Sequence, residues 1–253
     1  MSFPYTISLG GARLPVHTLV EPLAFFVGFR YFLYLRRRQG DPINSSNRTS
    51  ILLAAIFGAL FGSRLIGGLE NPPDMLHSKN ILLYFYENKT VLGGFLGALW
   101  AVELVKKFIG EKQASGDLFV YPILLALIIG RVGCFSMGVY EETYGTPTSL
   151  PWGMDLGDGL HRHPVALYEI VFLALLWVLL KKADPLLSKE QGARFKVFLI
   201  AYCLFRLLLD LIKPHYTFPF GLSTIQTTAL AGLIYYYPYI HERLQGARPK
   251  DKH

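Results

Sequence analysis

Cysteine is nearly absent from this chain: only Cys134 and Cys203 occur among 253 residues. That excludes a disulfide framework. One cysteine falls mid-helix and the other near a helix end, so no bond between them is expected. Charge is also scarce, at 17% of the residues against 52% hydrophobic, which is too little to coat an ordinary soluble domain. The sequence has no phosphate-binding loop, no dinucleotide fingerprint and no Cys/His cluster at zinc-like spacing. No repeat of roughly 20–50 residues and no low-complexity tract stands out. Residues 1–15 lack the basic start and apolar core of a secretory leader.

Long hydrophobic runs fill this space instead. Mean hydropathy is +0.34, and a run of about 20 apolar residues crosses a bilayer as a helix. Seven such runs are expected, at 17–35, 51–69, 91–108, 118–135, 165–180, 197–212 and 222–240. They predict an all-α, polytopic membrane protein made of a single domain over 1–253, with a long loop at about 136–164. The formal net charge of +7 fits this plan. Arg36, Arg37, Arg38 and Arg48 follow the first run, and Lys106, Lys107 and Lys112 follow the third. Lys181, Lys182, Lys189, Arg194 and Lys196 separate the fifth from the sixth, while Arg243, Arg248, Lys250 and Lys252 sit in the tail. Seven crossings with the N-terminus outside and the C-terminus cytoplasmic place all of these on the inner side, as the positive-inside rule requires. The basic excess is thus a topology signal, and no nucleic-acid partner is implied.

Depth follows from the rise of about 1.5 Å per helical residue. Glu21 lies one turn into the first run, Arg64 near the outer end of the second, and Lys89 just before the third. Arg131 nears the outer end of the fourth run, Glu169 is one turn into the fifth, Arg206 and Asp210 approach the outer end of the sixth, and Gln226 opens the seventh. Glu103, deeper in the third run, is the exception. Individually these residues have simpler readings: snorkelling for Arg64, Lys89 and Lys213, an i,i+4 ion pair for Arg206 and Asp210, a helix-start preference for Glu169 behind Pro164, and interhelical hydrogen bonds for Tyr168 and Gln226. Their shared depth suits an anionic phospholipid headgroup, because guanidinium groups grip phosphate as a planar fork. Gly58, Gly62, Gly67 and Gly68 on the second run and Gly93, Gly94 and Gly97 on the third read as close-packing faces. Gly93 and Gly94, at the depth of Lys89, are also candidates for substrate contact. Tyr235, Tyr236 and Tyr237 read as an interfacial aromatic belt.

The densest stretch is 130–169, GRVGCFSMGVYEETYGTPTSLPWGMDLGDGLHRHPVALYE. It joins two intramembrane charges, Arg131 and Glu169, through a loop far longer than a turn needs. GRVGCFSMG resembles the GRxGNFxNG signature of the prolipoprotein diacylglyceryl transferases, and RHPVALYE resembles their RHPSQLYE. FRLLLDLIK resembles FRFxxExxR, which puts Arg206 on the family's essential arginine and Asp210 on its glutamate. GLSTIQ, which contains Gln226, is similar to GLSMGQ, and LGGFLG, which contains Gly93 and Gly94, is similar to HGGLIG. The matches follow the family's order over nearly the whole chain. Departures are Leu92 for the histidine, Cys134 and Met137 for two asparagines, Val139 for an acid, and Glu21 for a tyrosine.

The resemblance implies a transferase of the bacterial inner membrane, multi-pass, with its site toward the periplasmic leaflet. Such an enzyme moves the diacylglyceryl group of phosphatidylglycerol to the thiol of a lipobox cysteine in a preprolipoprotein and releases glycerol 1-phosphate, with no metal and no soluble cofactor. Arg131 and Arg206 would grip the phosphate, with Asp210 and Glu169 beside them. Gly133, Gly138 and Tyr168 fall within the matched motifs. Candidate bases are Lys89, Glu21, Glu169, His161 and His163. Cys134 as a covalent nucleophile lacks a visible partner base, and a buried cysteine is commonly a packing residue. Two other readings stay open: transfer from a phospholipid donor to a different acceptor, and non-catalytic binding or transport of phosphatidylglycerol.

Overall fold

A computed structural model describes residues 3–9 and 11–246; Arg248, Lys250 and Lys252 lie outside them. The chain opens with strands β1 (Thr6–Leu9) and β2 (Ala12–Pro15), an antiparallel hairpin pairing Thr6 with Pro15. Helices α1 (Val16–Gln39), α2 (Ser45–Gly68), α3 (Pro72–His77), α4 (Ile81–Glu87), α5 (Val91–Ile109) and α6 (Val120–Met137) follow. A second short hairpin, β3 (Met154–Asp155) and β4 (His161–Arg162), precedes α7 (Val165–Leu187), α8 (Ala193–Leu209), α9 (Thr224–Tyr235) and α10 (Tyr237–Gly246). Each of the seven expected runs is helical over most of its length. Among the described residues, three helical stretches are long and apolar enough to cross a membrane: Val16–Gln39, Ser45–Gly68 and Asp117–Tyr140.

The two hairpins and the short helices α3 and α4 were not expected from hydropathy, which is blind to short polar or mixed segments. The last run also divides. Pro238 has no N–H to return to residue 234, so the helix stops at Tyr235 and restarts with Pro238 at its second position, where that loss is harmless. The tyrosine run divides with it: Tyr236 is buried, while Tyr235 and Tyr237 are exposed.

The described chain forms two compact units. The first comprises residues up to Arg48, Glu111–Phe198 and Leu209–Pro214. Here α6 packs against both α1 and α7. The α1–α6 approach depends on Gly28, where a Cβ would stand 2.9 Å from the Ala126 Cβ and 3.2 Å from the Pro122 carbonyl oxygen. Phe32 stacks on Phe119 with centroids 4.4 Å apart, and Trp177 of α7 stacks on Tyr31 at 6.1 Å.

At the other end of this unit Arg48 is only 1% exposed. Its Nε donates to Asp41 at 2.8 Å and its Nη1 to the Ser115 carbonyl at 3.0 Å. Arg36 donates to the same Asp41 carboxylate at 3.0 Å. Burial pushes the Asp41 carboxyl up, but the hydrogen bonds from Arg48 and the Ile43 N–H outweigh it and leave the pKa below the ordinary value. A depressed folded pKa stabilises the fold above the unfolded value of about 3.9, and that contribution is lost as pH falls through the folded pKa. Asp41→Ala leaves Arg48 buried without its carboxylate and is expected to cost about 3–5 kcal/mol. Thermal unfolding in detergent checks this at neutral pH, and the gap between wild type and variant should narrow on acidification.

The second unit comprises Thr49–Gly110, Leu199–Leu208 and the chain from His215 onward. Its α2 and α5 meet through reciprocal glycines. A Cβ on Gly62 would stand 2.8 Å from the Gly97 Cα, one on Gly97 2.8 Å from the Gly62 Cα, and one on Gly93 2.6 Å from the Ile66 Cβ. No side chain fits between such backbones, so Gly97→Val forces the helices apart, at an expected cost of about 1–3 kcal/mol. A fall in the detergent unfolding temperature tests this, with Gly110→Val as no guide because Gly110 needs a left-handed backbone. Elsewhere α5 packs against α9, and a Cβ on Gly232 would stand 2.8 Å from the Cys203 Sγ. A capping box starts α9: the Ser223 side chain accepts from the Gln226 N–H at 3.0 Å, and the Gln226 Oε1 accepts from the Ser223 N–H at 3.1 Å. Phe57, Phe61, Trp100 and Phe108 expose 68–80% of their surface. Apolar exposure on that scale marks a surface made for lipid.

Candidate active site

In the first unit the last turns of α6 carry Arg131, Gly133 and Cys134. Arg131 Nε lies 2.9 Å from Glu169 Oε2 on α7, with the arginine 9% exposed and the glutamate 1%. A buried ion pair gains little stability over apolar packing, because both charges lose their water. Its retention here is better explained by use than by stability. The helix-start reading of Glu169 does not describe this geometry: the carboxylate turns to Arg131, and Pro164 stands one residue before the helix.

Arg131 Nη1 also reaches the Cys134 Sγ, at 3.5 Å. Beyond the sulfur is Glu141, whose Oε1 is 3.9 Å from it. Glu141 Oε2 lies 3.4 Å from His17 Nδ1 on α1, and His17 Nε2 lies 3.8 Å from Glu21 Oε2 one turn further along. A line of functional groups therefore runs Glu169, Arg131, Cys134, Glu141, His17, Glu21. Two glycines allow it. Gly133 gives room to His17, whose Cδ2 would stand 2.9 Å from a Cβ there, and Gly138 turns the chain at φ +61° toward Glu141. The sequence alone assigned no role to Glu141 or to His17. The available signal was the i,i+4 spacing of His17 and Glu21, which puts both on one helix face.

The long loop is tied down in several places. Thr148 N–H donates to the His161 carbonyl at 2.8 Å, His163 N–H to Thr146 at 3.1 Å, and Thr146 N–H to Ile212 at 2.8 Å. The 3-10 turn Asp210–Ile212 therefore anchors the loop, and Asp210 itself is 2% exposed. Backbone N–H groups of Gly157 and Gly159 hold the Asp155 carboxyl below its ordinary pKa, and the Arg162 guanidinium does the same for Asp158. His163 Nδ1 lies 3.1 Å from the Tyr168 hydroxyl, which also accepts from Trp152 Nε1 at 2.9 Å.

The other expected site residues belong to the second unit. Arg206 is buried near the end of α8, at 5% exposure. Arg64 lies over the Tyr86 ring, 4.9 Å from its centroid. Lys89 precedes the α5 cap residue Thr90, and its backbone N approaches Gly67 closely. Gly93 packs on α2, whereas a Cβ on Gly94 would make only ordinary contacts at 3.6 Å. The Gln226 side chain is engaged in its capping box.

A helical protein with membrane-length apolar helices and a charged pair buried among them is a membrane-embedded protein. The family model described as prolipoprotein diacylglyceryl transferase matches residues 4–239. Relatives named phosphatidylglycerol–prolipoprotein diacylglyceryl transferase agree with it. The one from Cupriavidus metallidurans is 31% identical, covering 83% of this chain and 80% of its own. That from Nitrosomonas europaea is 30% identical over 83% and 77%, and that from Bordetella bronchiseptica 31% over 79% and 82%. The chain belongs to the prolipoprotein diacylglyceryl transferase family, and is a transferase.

Proposed function

We propose that this protein transfers the diacylglyceryl group of phosphatidylglycerol to the thiol of a lipobox cysteine in a preprolipoprotein. In this reading it crosses the bacterial inner membrane seven times as one domain, N-terminus outside, and works at the periplasmic leaflet with the 136–164 loop on that side. The observation that carries the proposal is the buried Arg131–Glu169 pair at 2.9 Å, within the two motifs most similar to the family's. The acceptor sulfur attacks the glycerol carbon that bears the phosphate ester. The C–S bond forms, the C–O bond breaks, and the electron pair leaves with glycerol phosphate while a base takes the thiol proton. Arg131 neutralises the phosphate as negative charge grows on the leaving oxygen, and Glu169 holds the guanidinium plane in place. The family pattern gives Arg206 a phosphate-binding role and Asp210 a supporting one. Glu21, Arg64, Gly93, Gly94, Gly133, Gly138, Tyr168 and Gln226 remain candidates for substrate contact. Lys89 and His163 remain candidates for the base.

Rescue of a bacterial strain depleted of its own diacylglyceryl transferase tests the reading in cells. Growth and lipoprotein processing are expected to return with the wild-type chain and to fail with Arg131→Ala at equal membrane abundance. No rescue by well-inserted wild-type protein points instead to a different acceptor.

A further inference from the structure

We propose that His17, Cys134 and Glu141 form a binding site for a divalent transition-metal ion of the zinc class, with a fourth position open beside Cys134. His17 Nδ1, the Cys134 Sγ and a Glu141 oxygen all lie within 4.8 Å of one another. A tetrahedral zinc-like ion holds nitrogen and oxygen ligands about 3.3–3.4 Å apart, and sulfur and oxygen about 3.6 Å apart. The corresponding separations here are 3.4 Å for His17 Nδ1 to Glu141 Oε2 and 3.9 Å for Cys134 Sγ to Glu141 Oε1. These two separations use different oxygens of Glu141, so the three donors converge within 4.8 Å of one another and would draw in to share one ion through a single carboxylate oxygen. Three further observations favour metal over a simple polar cluster. Glu141 Oε2 is shielded from solvent and accepts no hydrogen bond from the described residues, so its lone pairs are available at the centre of the group. His17 presents Nδ1 to that centre while Glu21 Oε2 stands 3.8 Å from its Nε2, beyond hydrogen-bond distance but placed to close on the ring and orient a metal-bound imidazole. The charge also closes: a thiolate and a carboxylate offset a divalent ion, and Glu169 already offsets Arg131.

The donor set of imidazole, thiolate and carboxylate suits zinc and cobalt better than magnesium or calcium, which select all-oxygen sites. His17 and Glu141 side chains are 17% and 23% exposed, so an ion can enter. Three protein donors leave the fourth position of a tetrahedral ion to an outside ligand, and Cys134 also borders a small apolar pocket lined by Phe135, Leu156, Pro164 and Ala166. An open position on a zinc-like ion is where an acceptor thiol binds as a thiolate, which prepares it to attack carbon. This role rests on the transferase reading; ion binding itself does not.

Titrating purified protein in detergent with cobalt(II) separates the two claims. Expected is one ion per chain, with intense visible bands of a tetrahedral site and a thiolate-to-cobalt charge-transfer band, both displaced by zinc. Cys134→Ser should remove the charge-transfer band and Cys203→Ala should keep it. Glu21→Gln should weaken binding by about 10- to 100-fold without changing the spectrum. Helical circular dichroism and gel filtration of each variant exclude loss by unfolding. Wild-type protein that binds no cobalt, or binds it without a charge-transfer band, overturns the site and leaves the lipid-transfer reading standing. Adding a lipobox peptide should strengthen the charge-transfer band, and a serine version should not. A band unchanged by the cysteine peptide overturns the acceptor role while the ion site stands.

Discussion

Arg131→Ala is expected to lower kcat/KM for lipid transfer by about 10³-fold, at the upper end of what one lost oxyanion donor removes. The same change leaves the Glu169 carboxylate buried at 1% exposure without its cation, and breaking such a pair costs about 3–5 kcal/mol. Lost activity could therefore reflect lost protein, and the double variant separates the effects. Arg131→Ala with Glu169→Ala removes the orphaned charge, so stability should recover well above that of the single variant while turnover stays as low as in the single variant or lower. Arg131→Lys keeps the charge but not the planar fork, so it should fall between wild type and alanine. Wild-type kcat/KM in folded Arg131→Ala would remove this residue from the site.

The second large effect is expected at Arg206. It is buried at 5% exposure near the end of α8, where the family pattern places an essential arginine. Arg206→Ala should lower kcat/KM by about 10²–10³-fold. If the guanidinium acts on the phosphate only as charge develops, kcat should fall with KM nearly unchanged; if it serves ground-state binding, KM should rise instead. A variant that unfolds no more easily than wild type yet keeps full kcat and KM would contradict the assignment.

The helices were legible because a bilayer imposes one simple demand, a run of about 20 apolar residues: each expected run is helical over most of its length, and three of the described helical stretches are long and apolar enough to cross. Arg131 and Glu169 were legible for a related reason: a charge inside apolar sequence calls for a partner or a task. Their pairing was not, since nothing in one sequence says which of several intramembrane carboxylates faces a given arginine. Gln226 shows the reverse limit. Its position matched a family motif, but the Ser-x-x-Gln spacing from Ser223 also describes a capping box, and that is the contact it makes. Pro238 carried a legible signal that hydropathy hid, because the residues around it stay apolar on both sides of the break. The His17, Cys134 and Glu141 group was invisible to spacing rules, which find metal donors that lie close together along the chain. Here one donor comes from α1, one from α6 and one from the turn beyond it.

Reconstitution in phosphatidylglycerol vesicles tests the central claim most directly. Purified protein would be mixed with a lipobox peptide, and the products followed by mass spectrometry together with released glycerol phosphate. A diacylglyceryl thioether on the cysteine peptide, none on a serine version, and glycerol phosphate released in equal amount is the predicted result. Folded, vesicle-inserted protein that releases no glycerol phosphate and leaves the peptide unmodified would contradict it.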